Sequence, residues 1–255
     1  MNNKTLERLS PLIVLVAVLL LWEAIVRLFG VAEFIFPAPS QIASQFVEFK
    51  GALLDAAWKT FWVTMLGFGI SIVVGVLLGF LIGSSRMAYT ALYPLMVAFN
   101  AVPKAAVVPI LVVWFGIGLG PGILTAFLIS FFPITVNIAT GLATLEPELE
   151  DVLRVLGARR WDILVKIGLP RSMPYFYGSL KIAITLAFVG TVLAEMTAGD
   201  SGIGYLMQTA GSQQRMSLAF AGLVTIGVMA MAMYEVFSWI EKRTTGWAHR
   251  GSQAA

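Results

Sequence analysis

The chain has no cysteine and one histidine, His249, six residues from the end of its 255. Without thiols there is no disulfide framework and no Cys-based zinc or iron–sulfur site. With one imidazole, His-dependent catalysis and metal binding lose most of their material, so no catalytic residue and no metal ligand is expected. Charge is scarce as well. Asp, Glu, Lys and Arg make up 12% of the residues, about half the usual share of ~25%. Against that stand 58% hydrophobic residues and a mean hydropathy of +0.86. A soluble enzyme, a disordered tail and a nucleic-acid-binding domain are all excluded by that balance.

Nucleotide hydrolysis is also missing its parts. A P-loop places Gly directly before Lys, and no Lys here follows a Gly. Gly199-Asp200-Ser201-Gly202 looks like a serine-protease nucleophile segment. His249 is expected on the other side of the membrane, so no triad can assemble. A tight outer turn capped by glycines is the better account.

What is present is apolar length. A spanning helix takes about 20 mostly apolar residues, and six stretches qualify, at about 11–30, 60–83, 91–115, 121–142, 179–197 and 218–240. The expectation is an all-α polytopic membrane protein, one transmembrane domain over 1–255 with its core at about 56–245. The first stretch follows Lys4 and Arg8 as a signal peptide would. It runs past the ~7–15 apolar residues of such a peptide with no A-x-A site after it, so it is read as a span. With the N-terminus inside, Lys4, Arg8, Arg86, Arg154, Arg159, Arg160, Lys166, Arg171, Lys181, Lys242, Arg243 and Arg250 fall on the inner side. Arg27, Lys50, Lys59 and Arg215 fall outside. That bias places both termini in the cytoplasm and accounts for the pI of 9.3 without a nucleic-acid partner.

Several segments are patterned. After the prolines of Phe36-Pro37-Ala38-Pro39-Ser40, Ser40 is expected to cap a helix on which Ile42, Phe46, Phe49 and Leu53 recur at helical spacing. That helix either lies at the outer interface or packs on the bundle. In the second span Ser71, Gly75, Gly79 and Gly83 form a small-residue stripe, either a moving or dimerising interface or static packing. The third span carries Pro94, Pro103 and Pro109, with Asn100 and Lys104 among them. Kinked backbone and an ionisable group at membrane depth call for protein or a water-filled cavity, unless Lys104 snorkels to an interface. Glu195 ends the fifth span, where it could salt-bridge, gate a path, contact an outer partner, or pin the Gly-rich loop. Glu23 and Glu235 have no evident partner, and Met229, Met231 and Met233 read as bundle packing. Asn100, Lys104, Asn137 and Glu195 are the candidate pathway residues.

From Glu146 to Arg171 the chain turns charged and amphipathic. Leu149, Val152, Leu153 and Leu156 follow i, i+3, i+4, i+7. Glu148, Glu150 and Asp151 suit the positive end of that helix, and Gly157 is placed to end it. A second short helix carries Trp161, Leu164 and Val165 on one face, and Leu169-Pro170 is expected to stop it. Such an apolar stripe outside the membrane wants a partner groove.

Asp151-Val-Leu-Arg154-Val-Leu-Gly157-Ala158, nine residues, then Ile167-Gly-Leu169-Pro170, resembles the EAA loop of bacterial ABC importer permeases. Gly157, Ile167, Leu169 and Pro170 fall at that motif's positions. Asp151 replaces its Glu, and Val152-Leu153 its two alanines. Phe36-Pro-Ala-Pro-Ser40, Pro103-Lys104 with Pro109, Trp114-Phe-Gly116-Ile-Gly118, Ala194-Glu195 and Gly202-Ile-Gly204 are similar to the permeases for taurine, alkanesulfonates, nitrate and thiamine precursors.

The resemblance implies a MetI-like permease fold in the inner membrane and a pair of permease copies, expected to be a homodimer. It implies two ABC ATPase subunits that bind ATP and Mg, and a periplasmic or lipid-anchored solute-binding protein. No cofactor is expected in this chain. It further implies an ATPase-coupling surface of Leu149, Glu150, Asp151, Leu153, Arg154, Leu156, Gly157, Ala158, Trp161, Leu169 and Pro170. An ion-coupled secondary transporter is the competing reading. It would favour internal repeats and acidic groups within the spans, and this sequence is poor in both. An intramembrane enzyme would need clustered His, Asp, Glu or Cys.

Overall fold

The structure, a computed structural model, describes residues 3–143 and 164–245, and between them residues 152, 155–157, 159 and 162. Every regular element among the described residues is helical. Helix α1 is Asn3–Leu28, α2 Pro39–Glu48, α3 Lys50–Gly83, α4 Arg86–Ala101, α5 Val108–Phe115, α6 Leu119–Ala143, α7 Leu169–Ala198, α8 Gly202–Ser212 and α9 Met216–Thr244. Five of these are long and apolar enough to cross a membrane, and α4 with the segment through α5 makes a sixth, bent by 73°. Five of the six expected spans are single helices of sufficient length, and the third is this bent pair. Two begin well before the sequence suggests. Helix α3 starts ten residues early, at Lys50, and α7 starts at Leu169. At ~1.5 Å per residue, the 34 residues of α3 exceed the ~30 Å hydrocarbon layer by about 20 Å.

The core is the contact of α3 with α6. Ser71 Oγ lies 2.6 Å from Ser130 Oγ, 59 residues on in sequence, and every step along the stripe keeps that offset. A methyl group at Gly67 would sit 2.6 Å from Ala126 Cβ, at Gly75 2.8 Å from Ile134 Cβ, at Gly79 2.7 Å from Ile138 Cβ and at Gly83 2.8 Å from Leu142 Cβ. A constant offset means the two helices run parallel, with four-residue ridges meshed. The stripe therefore serves packing within the chain, and Gly67 extends it by a turn. Helix α7 joins antiparallel, through Thr64 Oγ1 donating to Thr191 Oγ1 at 2.8 Å and the Phe188 side chain in the core.

Helix α9 closes the bundle differently. Ile226, Met229, Ala230, Met233 and Phe237 pack on the core while only partly buried, so the methionine stretch does pack the bundle at two of its three positions. Helix α1 is almost wholly exposed along its span and is tied down at its end. There Trp22 stacks on Phe36 at 5.1 Å, and Glu23 accepts from Arg27 Nε at 2.5 Å and from the Ser40 N–H and hydroxyl at 3.0 and 2.7 Å. Arg27 is an i,i+4 partner that helical spacing allows, whereas Ser40, 17 residues on, carried no sequence signal.

Two local expectations are corrected. Ser40 is not the N-cap of α2. Ala38 is, its N–H donating to Gln41 Oε1 at 2.7 Å. Pro39 occupies the first turn, where a missing N–H does no harm. The apolar run 42–53 is also two helices joined at Phe49, and both pack on α8 and α9 through Ile42, Leu53, Ile203 and Leu218.

A backbone-close contact has no slack for added atoms, whereas a side-chain contact has some. Gly75→Ala meets Ile134 Cβ, while Gly122→Ala meets only Val63 Cγ1, 2.8 Å away. Gly75→Ala should lose about 1–3 kcal/mol of stability. Gly122→Ala should lose less and be restored by Val63→Ala. Thermal unfolding in detergent checks the ranking, and equal losses would contradict the close-packed account.

Candidate functional site

Three places carry the groups singled out in the sequence. The first is the loop between α6 and α7. Leu149, Glu150, Asp151, Leu153, Arg154, Ala158 and Trp161 lie outside the described residues. Within the loop, the Leu156 N–H donates to the Val152 carbonyl at 3.1 Å, a helical turn that ends at Gly157 with φ +86°. That backbone suits glycine and strains other residues. Val152, Val155 and Leu156 are 56%, 87% and 76% exposed. A second turn follows. Asp162 accepts from the Arg159 N–H at 3.3 Å and pairs with Lys166 at 3.0 Å. The lysine, then the backbone donor, hold its carboxyl below the ordinary carboxylate range.

Leu169-Pro170 does not stop this segment. A wide π-turn at Leu164–Gly168 runs directly into α7, and Pro170 sits in the first turn of α7. Proline needs no donor there, so the Leu-Pro pair begins the fifth spanning helix. The loop is thus continuous with that helix.

The second place is the broken third span. Of its three prolines only Pro103 marks the break. Pro94 lies inside α4, and Pro109 in the first turn of α5. The break interrupts the carbonyl ladder at the end of α4, where the Phe99 carbonyl accepts from the Val102 N–H at 3.3 Å. Lys104, in the short 3-10 turn Lys104–Val107, turns back onto the carbonyls there. Its Nζ donates to the Asn100 carbonyl, to Asn100 Oδ1 at 3.0 Å and to the Phe99 carbonyl at 3.3 Å. A cation at a helix C-terminus is favourable. Asn100 is exposed beside it. Asn137 is on α6, where its Nδ2 donates to the Pro133 carbonyl one turn back at 2.8 Å.

The third place is the far end of α7. The Glu195 side chain is buried, and both its oxygens accept from Thr60 Oγ1 at 2.9 Å, with Oε2 also accepting from the Gly204 N–H at 2.8 Å. The Ile203 N–H donates to the same Thr60 hydroxyl at 2.8 Å. The carboxylate thus occupies the N-terminus of α8, and Gly202, at φ +93°, leaves room that a methyl group would take, 2.2 Å from Glu195 Oε1. Sequence reading expected a turn here and missed α8. The spacing of Ile203, Leu206, Met207 and Ala210 was the available signal. Thr60 had none, because its partners lie 135 and 143 residues away. Glu195, Lys104 and the Gly157 loop belong to separate regions, and no metal-binding cluster forms among the described residues.

Glu195→Ala should remove the acceptor for two buried donors, about 1–3 kcal/mol, while Glu195→Gln keeps one oxygen and loses less. Hydrogen exchange at the Ile203 and Gly204 amides should quicken markedly in Glu195→Ala. Unchanged protection would contradict this bonding.

A family model described as the binding-protein-dependent transport system inner membrane component matches residues 71–246. A probable ABC transporter permease protein of Haemophilus influenzae is 30% identical, over 92% of this chain and 96% of its own. A formylaminopyrimidine transport permease protein of Halalkalibacterium halodurans is 26% identical, over 96% and 98%. Among solved structures, a methionine ABC transporter in an inward-facing conformation is similar with a TM-score of 0.67 at 19% identity, covering 77% of this chain and 98% of the matched one. That likeness shows the fold, the MetI-like permease arrangement expected above.

Proposed function

The chain belongs to the family of binding-protein-dependent transport inner membrane components, and on that premise we propose how this permease subunit of an ABC importer is driven and what it carries. Two copies form the pathway in the inner membrane, with both termini in the cytoplasm. ATP and Mg are held by two separate ATPase subunits, and the permease hydrolyses nothing itself. A solute-binding protein outside delivers the cargo. The cargo is a small organic solute or anion of the sulfonate, nitrate or thiamine-precursor kind. Support for the last of these comes from the formylaminopyrimidine permease among the relatives.

The observation that carries the coupling is the apolar surface of Val152, Val155 and Leu156 on a loop outside every candidate span. Exposed apolar side chains that face neither lipid nor core fit a protein groove. The EAA resemblance assigns that groove to the ATPase, with Leu149, Glu150, Asp151, Leu153, Arg154, Leu156, Gly157, Ala158, Trp161, Leu169 and Pro170 as the surface. Because Leu169 and Pro170 start α7, a push on this loop is a push on a spanning helix. ATP binding favours the closed ATPase pair, and the spans follow as a two-state element. Asn100, Lys104, Asn137 and Glu195 remain the proposed polar groups along or beside the pathway.

The test is affinity purification from native membranes with mass spectrometry of what co-elutes. A P-loop ATPase in near-equal amount is expected, and it should be lost from Leu156→Glu while that variant still inserts and folds. Gly157→Val, which strains the loop backbone by about 1–2 kcal/mol, should keep the ATPase bound but uncouple it. Recovery of the chain alone, still transporting in vesicles, would overturn the reading.

A further inference from the structure

Helices α3, α6 and α7 are keyed to one another by glycines at near-backbone contact. Gly190 of α7 lies against the backbone of α6, where a methyl group would stand 2.9 Å from Ala126 Cα. Helix α9 has no such key to α7. The side chains that α9 lays on the cluster shared by α3, α6 and α7 are Ile226, Met229, Ala230, Met233 and Phe237, each partly buried, while its buried Leu218, Ala219 and Ala221 belong to the separate cluster with Ile42, Leu53 and Ile203. Methionine is flexible and polarisable, and contacts of this kind slide and repack. They resist separation but not rotation.

Among the described residues one ion pair crosses that seam. Lys181 Nζ of α7 donates to Glu241 Oε2 of α9 at 2.6 Å, and the two side chains are 18% and 11% exposed. Among the described residues the other ion pairs, Glu23–Arg27, Asp55–Lys59 and Asp162–Lys166, each stay within four residues of sequence. Lys181–Glu241 is the one that joins two spanning helices. Its surroundings hold both ends in place. The Lys181 ammonium lies 5.7 Å from the centre of the Tyr234 ring. The backbone at Glu241 is anchored by Thr245, whose buried hydroxyl donates to the Glu241 carbonyl at 2.8 Å. Desolvating an ion pair rarely adds stability over an apolar pair of the same shape. What it adds is registry, since a charge pair has one productive geometry and methionines have many.

Position gives that registry a consequence. Lys181 lies on the helix that runs directly out of the coupling loop, some three turns beyond Leu169. We infer that Lys181 and Glu241 are positioning residues that carry nucleotide-driven movement of α7 across to α9. The inference rests on the importer reading. With the pair intact, a turn or tilt of α7 takes the end of α9 with it. With the pair cut, α7 moves and the methionine seam slips.

The absence of cysteine from this chain leaves no competing thiol in the permease, which is labelled before the ATPase is added back. Single cysteines at the exposed positions Tyr175 on α7 and Val236 on α9 carry a polarity-sensitive fluorophore, one per preparation. The complex re-formed with its ATPase is compared without nucleotide and trapped with ATP and vanadate. In the otherwise unaltered complex both reporters should shift on trapping. In Lys181→Met the Tyr175 reporter should still shift and the Val236 reporter should lose most of its response. The exchange Lys181→Glu with Glu241→Lys should restore it. A purely stabilising pair would instead lower the unfolding temperature and leave both shifts in place, which overturns the inference. A complex in which neither reporter responds even with the pair intact overturns the importer reading beneath it.

Discussion

The parallel contact of α3 on α6 is the constraint from which the rest of the molecule follows. In lipid, apolar side chains gain little by leaving their surroundings for one another, so helices are held by close packing and by polar bonds. Glycine or serine at every fourth position of α3 lets the two backbones approach until the Cβ atoms of α6 fill the gaps. Once that distance is set, hydroxyls at the seam must find each other. The Ser71–Ser130 and Thr64–Thr191 pairs do so by direct hydroxyl–hydroxyl bonds. Helix α7 is positioned by the second of these, and its far end delivers Glu195 to Thr60 and to the start of α8. One stripe of small residues thus fixes three spanning helices and the short helix at one end of them.

Around this block the remaining elements are held more loosely. Helix α1 is tied at one end by Glu23, Arg27, Ser40 and the Trp22 ring. On its α7 side, helix α9 brings only partly buried side chains and, among the described residues, one ion pair. The third span is broken at Pro103, where Lys104 turns back onto the Asn100 and Phe99 carbonyls. A transporter needs both kinds of contact: a part that keeps its shape, and seams along which parts move relative to it. The loop of exposed apolar side chains before α7 joins the rigid part, so force applied there reaches the bundle through a helix that cannot shear against α6.

Much of this was legible in the residues. Apolar length gave the six spans, and the period-four glycines gave the stripe. Gly157 marked the end of a helical turn, and its backbone has the positive φ that only glycine adopts without strain. What was not legible shares a physical cause. The early starts of α3 and α7 lie beyond the apolar stretches, where hydropathy is silent and only packing shows that the helix continues. Leu169-Pro170 reads as a stop because proline ends most helices, yet the same missing N–H suits a first turn. Ser40 looked like a cap for the want of knowing that Glu23 would claim it. The Glu195–Thr60 and Lys181–Glu241 bonds join residues 135 and 60 apart, and a single sequence carries no signal for such pairs.

Under the proposed function, ATP hydrolysed by a partner, not an ion gradient, drives solute through this chain. The direct measurement is uptake into proteoliposomes containing the purified complex, with binding protein outside and ATP inside, using labelled formylaminopyrimidine and an alkanesulfonate as probes. The account predicts uptake that requires internal ATP and binding protein and persists when proton and sodium gradients are collapsed. Uptake by the permease alone that follows an imposed ion gradient and ignores ATP would contradict it.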